Sequence, residues 1–363
     1  MNYHIDKKDG TSAYLQLYYA LRRDILAEVY PCGSRLPSKR TIAAETGVSV
    51  ITAEHALALL CDEGYAEARQ RSGFFVLYRK RDFSGVPATP AERHMPQAHA
   101  QSGAFPFSVL AKTVRRVLLD YGELILVKSD NFGCSTLREA ICAYLARSRA
   151  IAVKPQQVIV GSGAEYLYGL AAQLLKDRVF AVESPCYDKI TKVYDAQGVR
   201  YEQLPLHADG IRSADLAATR ATVLHVTPFN SYPSGITVGV SKKHEYLRWA
   251  KERGGIVIED NYDSELTVSQ KTEDALFAMA DGADVIYLNT FSQTLAPSMR
   301  IGYLLLPERL VEPFRQALGF YSCTVPALDQ YVLAELLQSG DFEKHINRVR
   351  RQRRKAAQKR DAD

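Results

Sequence analysis

No apolar run in the chain is long enough to span a bilayer, and its opening residues, MNYHIDKKDG, lack the hydrophobic core of a secretory signal. Membrane association and export are therefore not expected, and a cytoplasmic location is. The six cysteines (Cys32, Cys61, Cys134, Cys142, Cys186 and Cys323) are scattered, with no close pair at zinc-ligand spacing. That argues against a metal site or a disulfide framework and for reduced, structural thiols. There is no internal repeat and no low-complexity tract. Charge is not strongly one-sided either. A formal +5 over 363 residues permits contact with nucleic acid without arguing for it.

What is present suffices for two domains with at least one large core. Residues 1–78 are dense in helical periodicity, and residues 79–104 read as an exposed linker with Pro87, Pro90 and Pro96 and little apolar content. Residues 105–363 alternate helical stretches with short β-branched runs such as QVIVG (157–161), ATVLHV (221–226), GIVIE (255–259) and IGYLLL (301–306). That alternation predicts an α/β domain around a buried, mainly parallel sheet.

In the first zone Leu15, Tyr18, Leu21 and Ile25 recur at spacings of three and four, which predicts an amphipathic helix over 14–28, ended by Pro31 and Gly33. Ser38 is placed to cap a second helix, Gly47 to turn the chain, and Ser49 to open a third helix that Gly64 stops. Tyr65 to Val76 suits a hairpin centred on Ser72–Gly73. Together these elements make an α+β winged helix-turn-helix. The segment LPSKRTIAAETGVSVITAEHALALLCDEGYAEARQRSGFFV closely resembles the DNA-binding domain of the GntR family. The resemblance implies that double-stranded DNA is the partner, with Lys39, Arg40, Ser49 and Thr52 facing it and Arg69 and Arg71 in the wing. Val50 stands where many members carry arginine and Glu54 where some carry another, so potential guanine contacts are lost and the operator is expected to differ from the usual one or the affinity to be weak. A winged helix used for protein contacts is the alternative.

Four segments of the second zone carry chemistry. Gly161–Ser162–Gly163–Ala164 follows an apolar strand and opens a helix, where backbone amides can hold a phosphate. Glu183–Ser184–Pro185–Cys186–Tyr187 offers an aromatic face. Glu259–Asp260–Asn261–Tyr262–Asp263 ends a strand in carboxylates, one of which can pair with a protonated ring nitrogen. TFSQTLAPSMR supplies Ser292 and Arg300 as phosphate ligands. Alone, the glycine pair is weak evidence, Tyr187 reads as a packed tyrosine, and the acids of 259–263 read as a helix cap or a surface cluster.

In this order the segments closely resemble the aminotransferase-like domain of the MocR subfamily of GntR regulators, a fold-type-I pyridoxal-phosphate unit. The resemblance runs from about Phe105 onward and also takes in SDNFGCSTLREAICAYLARSRAI and VTPFNSYPSGITV. It implies that Asp260 meets the pyridine nitrogen, Tyr262 the ring hydroxyl and Tyr187 the ring face, with Ser162, Gly163, Ser292 and Arg300 on the phosphate. It also implies a homodimer and an amino-compound effector.

Two departures bear on function. Gln293 stands where the resemblance places the lysine that bonds the cofactor aldehyde, and an amide can neither form that bond nor move a proton as a base. Pyridoxal 5'-phosphate is therefore expected to bind without a covalent link and more weakly, with Lys242 or Lys243 as substitute amines the minor alternative. The family also continues into a smaller subdomain, and this chain ends near its start. Arg348 to Arg354, which resembles the helix leading there, reads by itself as a solvated face or a phosphate-contacting tail. The leading expectation is a transcriptional regulator with a degenerate aminotransferase-like domain. Its rivals are an aminotransferase with an accessory DNA-binding domain and a truncated product that only dimerises or does nothing.

Overall fold

A computed structural model describes residues 11–70, 72–79, 105–266 and 274–360, together with Tyr3 and Ile5. The chain divides into two compact units, Met1–Ala98 and His99–Asp363. The linker expected over 79–104 lies, apart from Arg79, outside the described residues.

The first unit holds α1 (Ala13–Leu26), α2 (Lys39–Thr46), α3 (Val50–Asp62) and the antiparallel strands β1 (Ala66–Arg69) and β2 (Gly73–Val76). The start signals act as local chemistry predicts. Ser38 Oγ accepts from the Thr41 amide at 3.1 Å and Ser49 Oγ from the Thr52 amide at 3.0 Å, each satisfying an otherwise orphaned helix donor. Gly47 turns the chain with φ at +72°, a conformation that costs glycine nothing. One expectation shifts. The buried stripe of α1 is Leu17, Tyr18, Leu21 and Ile25, with Leu15 only half-buried, and the helix ends at Leu26, several residues before Pro31. These residues pack with Ile42, Ala53, Leu57, Leu60 and Val76 into a core of their own.

The second unit is built on β3 (Val158–Gly161), β4 (Phe180–Ser184), β5 (Tyr201–His207), β6 (Gly210–Ile211), β7 (Val223–Val226), β8 (Ile256–Asp260), β9 (Asp284–Thr290) and β10 (Gly302–Leu305). They form one sheet in the order β3-β10-β9-β8-β7-β4-β5-β6. The run from β9 through β8, β7 and β4 to β5 is parallel. Only β10 and the short β6 run against their neighbours. Every residue of β7 and β8 is buried, which explains their unbroken apolar runs.

Helices cover both faces: α4 (Phe107–Tyr121), α5 (Ser135–Arg149), α6 (Ala164–Leu174), α7 (Asp188–Ala196), α8 (Ser213–Ala218), α9 (Val240–Arg253), α10 (Leu276–Met279), α11 (Glu308–Leu318), α12 (Ala327–Gln338) and α13 (Asp341–Arg360). One face packs α5, α12 and α13; the other carries α6, α7 and α11 near its middle. Because the central strands are parallel, the carboxyl ends of β3, β4, β7, β8 and β9 lie along one edge of the sheet, the place where open α/β sheets bind ligands.

The basic run of α13 departs from the solvated-face expectation. Arg350 Nε donates to the Glu265 carbonyl at 2.6 Å, and Arg353 Nη1 reaches Asp263 at 3.4 Å and the Leu266 carbonyl at 3.3 Å. Two of its arginines therefore seize the turn that follows β8, while Arg351 and Arg354 remain exposed. Among the described helices none is long and apolar enough to cross a membrane. All six cysteines are unpaired, and no cluster of metal-ligating side chains occurs among the described residues.

Candidate functional site

In the first unit, Lys39 and Arg40 open α2, and Ser49 and Thr52 open α3. Lys39 Nζ is held 2.6 Å from Glu54 Oε1 on α3, with both side chains substantially in water. Arg40 is exposed. Ser49 and Thr52 hydroxyls lie 2.8 Å from each other, so both are engaged in closing the helix start. Arg69 sits on β1, paired with Glu67 at 2.6 Å and stacked 4.4 Å over the Phe75 ring. Arg71 lies outside the described residues.

In the second unit a cavity of about 240 Å³ opens at the carboxyl edge of the sheet. Its walls come from the start of α6 (Ala164, Glu165, Tyr168), the start of α7 (Tyr187), the loop after β7 (Thr227, Tyr232), the end of β8 (Asp260, Tyr262) and the turn after β9 (Thr290, Ser292, Gln293), closed by Arg300. Five of the seven residues expected to hold the cofactor thus line one cavity: Tyr187, Asp260, Tyr262, Ser292 and Arg300. Gly163 stands directly behind them. Its φ is +93°, and a Cβ there would lie 2.8 Å from Arg300 Nη2, so only glycine lets the guanidinium approach so closely. Ser162 is different. It is not on the cavity wall, and its amide donates to Thr324 Oγ1 at 3.1 Å instead.

Asp260 is buried at the floor. Its Oδ2 accepts from the Tyr168 hydroxyl, and its Oδ1 has no hydrogen-bond partner among the described residues. Burial, then the Asp260 charge, push the Tyr168 hydroxyl far above its usual pKa, so it stays a donor. Behind Asp260, His225 Nε2 lies 3.9 Å from Oδ2, and His225 Nδ1 shares a 2.7 Å hydrogen bond with Tyr194. The Tyr262 hydroxyl donates to the Asn230 carbonyl at 2.7 Å. Glu183, two strands away on β4, is fully buried. Burial pushes its carboxyl up to about 8, against hydrogen bonds from the Thr227 amide and the Ser231 hydroxyl, both at 3.1 Å.

The anion end of the cavity already contains an anion. The Glu165 carboxylate, in the first turn of α6, pairs with Arg300 and with Lys189 at 2.5 Å. Partial burial raises its pKa, but the hydrogen bonds from Lys189, its own amide and Arg300 outweigh that and hold it at about 2. No lysine stands among the described residues lining the cavity, and exposed Gln293 occupies the turn after β9. The substitute amines do not reach it. Lys242 pairs with Glu245 at 2.7 Å, and buried Lys243 donates to the Asp274 carbonyl at 3.1 Å over the Phe229 ring.

These residues fit a pyridinium ring. The partnerless Asp260 oxygen needs a donor, and Tyr187 and Tyr232 offer aromatic faces. They fit a phosphate at Ser292, Arg300 and the α6 start only in competition with Glu165. Sequence reading did not find Glu165, Tyr168, Thr227, Tyr232 or Thr290. The one usable signal was the helical spacing that puts Tyr168 one turn beyond Ala164.

Residues 100–362 match the family described as aminotransferase class I and II, and residues 13–76 match the bacterial regulatory proteins of the gntR family. A protein of Bacillus subtilis named "Uncharacterized HTH-type transcriptional regulator YdeL" is 30% identical over 94% of this chain and 77% of its own length. A protein of Rhizobium meliloti named "Probable rhizopine catabolism regulatory protein MocR" is 28% identical over 96% and 76%. Among solved structures, the α-aminoadipate aminotransferase LysN of Thermus thermophilus, complexed with N-(5'-phosphopyridoxyl)-L-leucine, is 28% identical with a TM-score of 0.61, covering 71% of this chain and 67% of that one. This chain spans 62–65% of three other solved aminotransferases that it matches.

Proposed function

This chain belongs to the aminotransferase class I and II family and carries a gntR-family regulatory domain ahead of that unit, and from this premise we propose that it is a DNA-binding transcriptional regulator whose second unit dimerises and senses a small ligand rather than turning one over. One observation carries the reading: on the same chain as a winged helix, the cavity wall presents Gln293 and no lysine among its described residues. An aminotransferase with an accessory domain needs an amine there to hold the cofactor and shuttle a proton.

Pyridoxal 5'-phosphate, when bound, supplies an aldehyde reactive toward amino compounds on an electron-withdrawing ring. Asp260 would hold the proton on the ring nitrogen, with Tyr168 fixing the carboxylate from the far side. Tyr187 would cover a ring face, and Tyr262 would approach the ring hydroxyl. Ser292, Arg300 and Gly163 at the start of α6 would hold the phosphate. Gln293 can donate and accept hydrogen bonds but moves no proton, so the group is held non-covalently and an amino compound is the effector class.

The dimer surface rests on α4 and the turn after it, where Phe107, Leu119, Leu124 and Leu126 are strongly exposed, Leu126 at 83%. Exposed apolar side chains of this kind suit contact with a second copy of the chain. Regulation places the protein in the cytoplasm, with DNA.

Two measurements on the full chain test the reading. Selection from a random duplex library should enrich one sequence, with affinity falling linearly in log–log coordinates as salt rises. Incubation with pyridoxal 5'-phosphate, borohydride reduction and intact mass should show no stoichiometric adduct. Turnover of an amino donor, or an adduct mapped to a lysine, would restore the enzymatic reading.

A further inference from the structure

The recognition helix of a winged helix enters the major groove with the residues of its first turns toward the base edges. Here that helix, α3, reads VITAEHALALLCD and contains neither lysine nor arginine. Its inward face is Ala53, Ala56, Leu57 and Leu60, all buried. Its outward first turns carry Val50 at 40% exposure, Ile51 at 67% and Glu54, with Val50 and Ile51 four and three residues before Glu54 and therefore on one face. Of the polar groups nearby, the Ser49 and Thr52 hydroxyls bond each other at the helix start, and the exposed ring of His55 stands edge-on to Tyr14, 6.0 Å between centroids.

Two aliphatic side chains facing water at this point give the helix an apolar contact surface. The groove offers one in the thymine C5-methyl, the apolar group on a base edge. Glu54 carries the matching polar instruction. A carboxylate only accepts, and the donor it finds on a base edge in the major groove is the amino group of cytosine or adenine, of which cytosine N4 is the usual partner. Lys39, 2.6 Å from Glu54, offsets the repulsion this carboxylate would feel from the phosphates.

We infer that the operator half-site is read through thymine methyls by Val50 and Ile51 and through a cytosine amino group by Glu54, with Lys39, Arg40 and Arg69 on the phosphates. This rests on the DNA-binding reading above and adds the base code to it. Guanine, which arginine or lysine addresses through O6 and N7, is not the base that α3 reads.

The test uses the full chain and the duplex enriched from a random library. Replacing each thymine by deoxyuridine removes one methyl and nothing else. At the thymines under α3, wild type should lose about fourfold in affinity per methyl, the equivalent of about 0.8 kcal/mol per buried methyl group. Ile51→Ala should lose a similar amount on thymine-containing DNA and nothing further on deoxyuridine at its own position. Glu54→Gln should relax the preference for cytosine toward adenine, since glutamine pairs with adenine N6 and N7. Both positions are exposed, so melting temperatures should fall by no more than the few degrees that the loss of the exposed Lys39 pair can cost. An enriched duplex indifferent to deoxyuridine, or one whose essential bases under α3 are guanines, overturns this inference and leaves the regulator intact. No enriched duplex at all overturns both, and the exposed residues then belong to a protein contact.

Discussion

Both units hold cations against carboxylates of the same chain, and the two arrangements are worth different amounts. On the winged helix, Lys39–Glu54 and Arg69–Glu67 stand in water with both ends open. Such pairs contribute roughly 0–1 kcal/mol, so a DNA phosphate can take the cation at almost no loss. In the cavity, Glu165 lies between Lys189 and Arg300 at the start of α6, three-quarters covered, where the helix dipole also favours negative charge. A phosphate arriving there must displace an anion that is already well held. One device leaves its cations available, while the other plugs the site it lines.

The most decisive way to break this contrast is to return the amine. Gln293→Lys should convert an all-or-none readout, giving a borohydride-stable adduct at residue 293 by peptide mapping where wild type gives none. Should the variant stay unlabelled with pyridoxal 5'-phosphate in excess, the cavity is not a pyridoxal site.

Next in size is the independence of the two cores. Leu57 is fully buried in the first unit, so Leu57→Ala should cost that unit about 2–5 kcal/mol. In calorimetry the winged-helix transition should fall and the other remain where it was. A common shift of both would mean that the two units unfold as one.

Glu183 gives a pH-dependent effect. Its folded carboxyl is raised from the usual range to about 8, so between those values the folded state holds more protons than the unfolded one. Stability from this group is complete at low pH and is lost as pH rises toward and through 8. Glu183→Gln should therefore raise the unfolding free energy of the second unit more at pH 8 than at pH 5, by an amount on the order of a few kcal/mol, read by denaturant unfolding at the two pH values. Equal changes at both pH values would mean that this carboxyl is ionised in the fold throughout.

Smaller again is the plug itself. Glu165→Gln leaves Arg300 and Lys189 without their counter-charge, and binding of pyridoxal 5'-phosphate, followed by titration calorimetry, should tighten by about tenfold, the scale of one charged hydrogen bond. The same affinity in both proteins would show that Glu165 yields the site freely. The least effect belongs to the exposed pair: a double-mutant cycle on Lys39 and Glu54 should give a coupling in stability of about 0.2–1 kcal/mol. A value of several kcal/mol would remove the distinction between the two units.

What could be read in advance follows from how local each signal is. Ser38, Gly47, Ser49 and Gly64 act on their own neighbours, so the winged helix was legible almost element by element. The strand ends that carry Tyr187, Asp260 and Ser292 were legible because each follows an apolar run. β5 was not: Tyr201–His207 is half polar with Pro205 inside it, because its outer neighbour is only the two-residue β6. Glu165 and Tyr232 reach the cavity by a helix start and a loop closing over it, and neither position has a spacing of its own. Arg350 escapes a sequence reading for a similar reason. Its partner is the Glu265 carbonyl, and a backbone acceptor leaves no mark in a sequence.

That last contact makes α13 and the turn after β8 a single mechanical part. The turn carries Tyr262 on the cavity wall, Asp263, which also accepts from Asn230 at 2.9 Å, and Glu265, whose carboxylate accepts from Asn289 at 2.6 Å. With Arg350 and Arg353 gripping the same stretch, a rotation or fraying of the helix should be transmitted to the rim of the cavity, and occupancy of the cavity should be felt in the helix. Amide hydrogen exchange should then report one opening event, with residues 261–266 and the Arg350 turn of α13 gaining protection together when ligand is added. Protection of the turn alone would uncouple them.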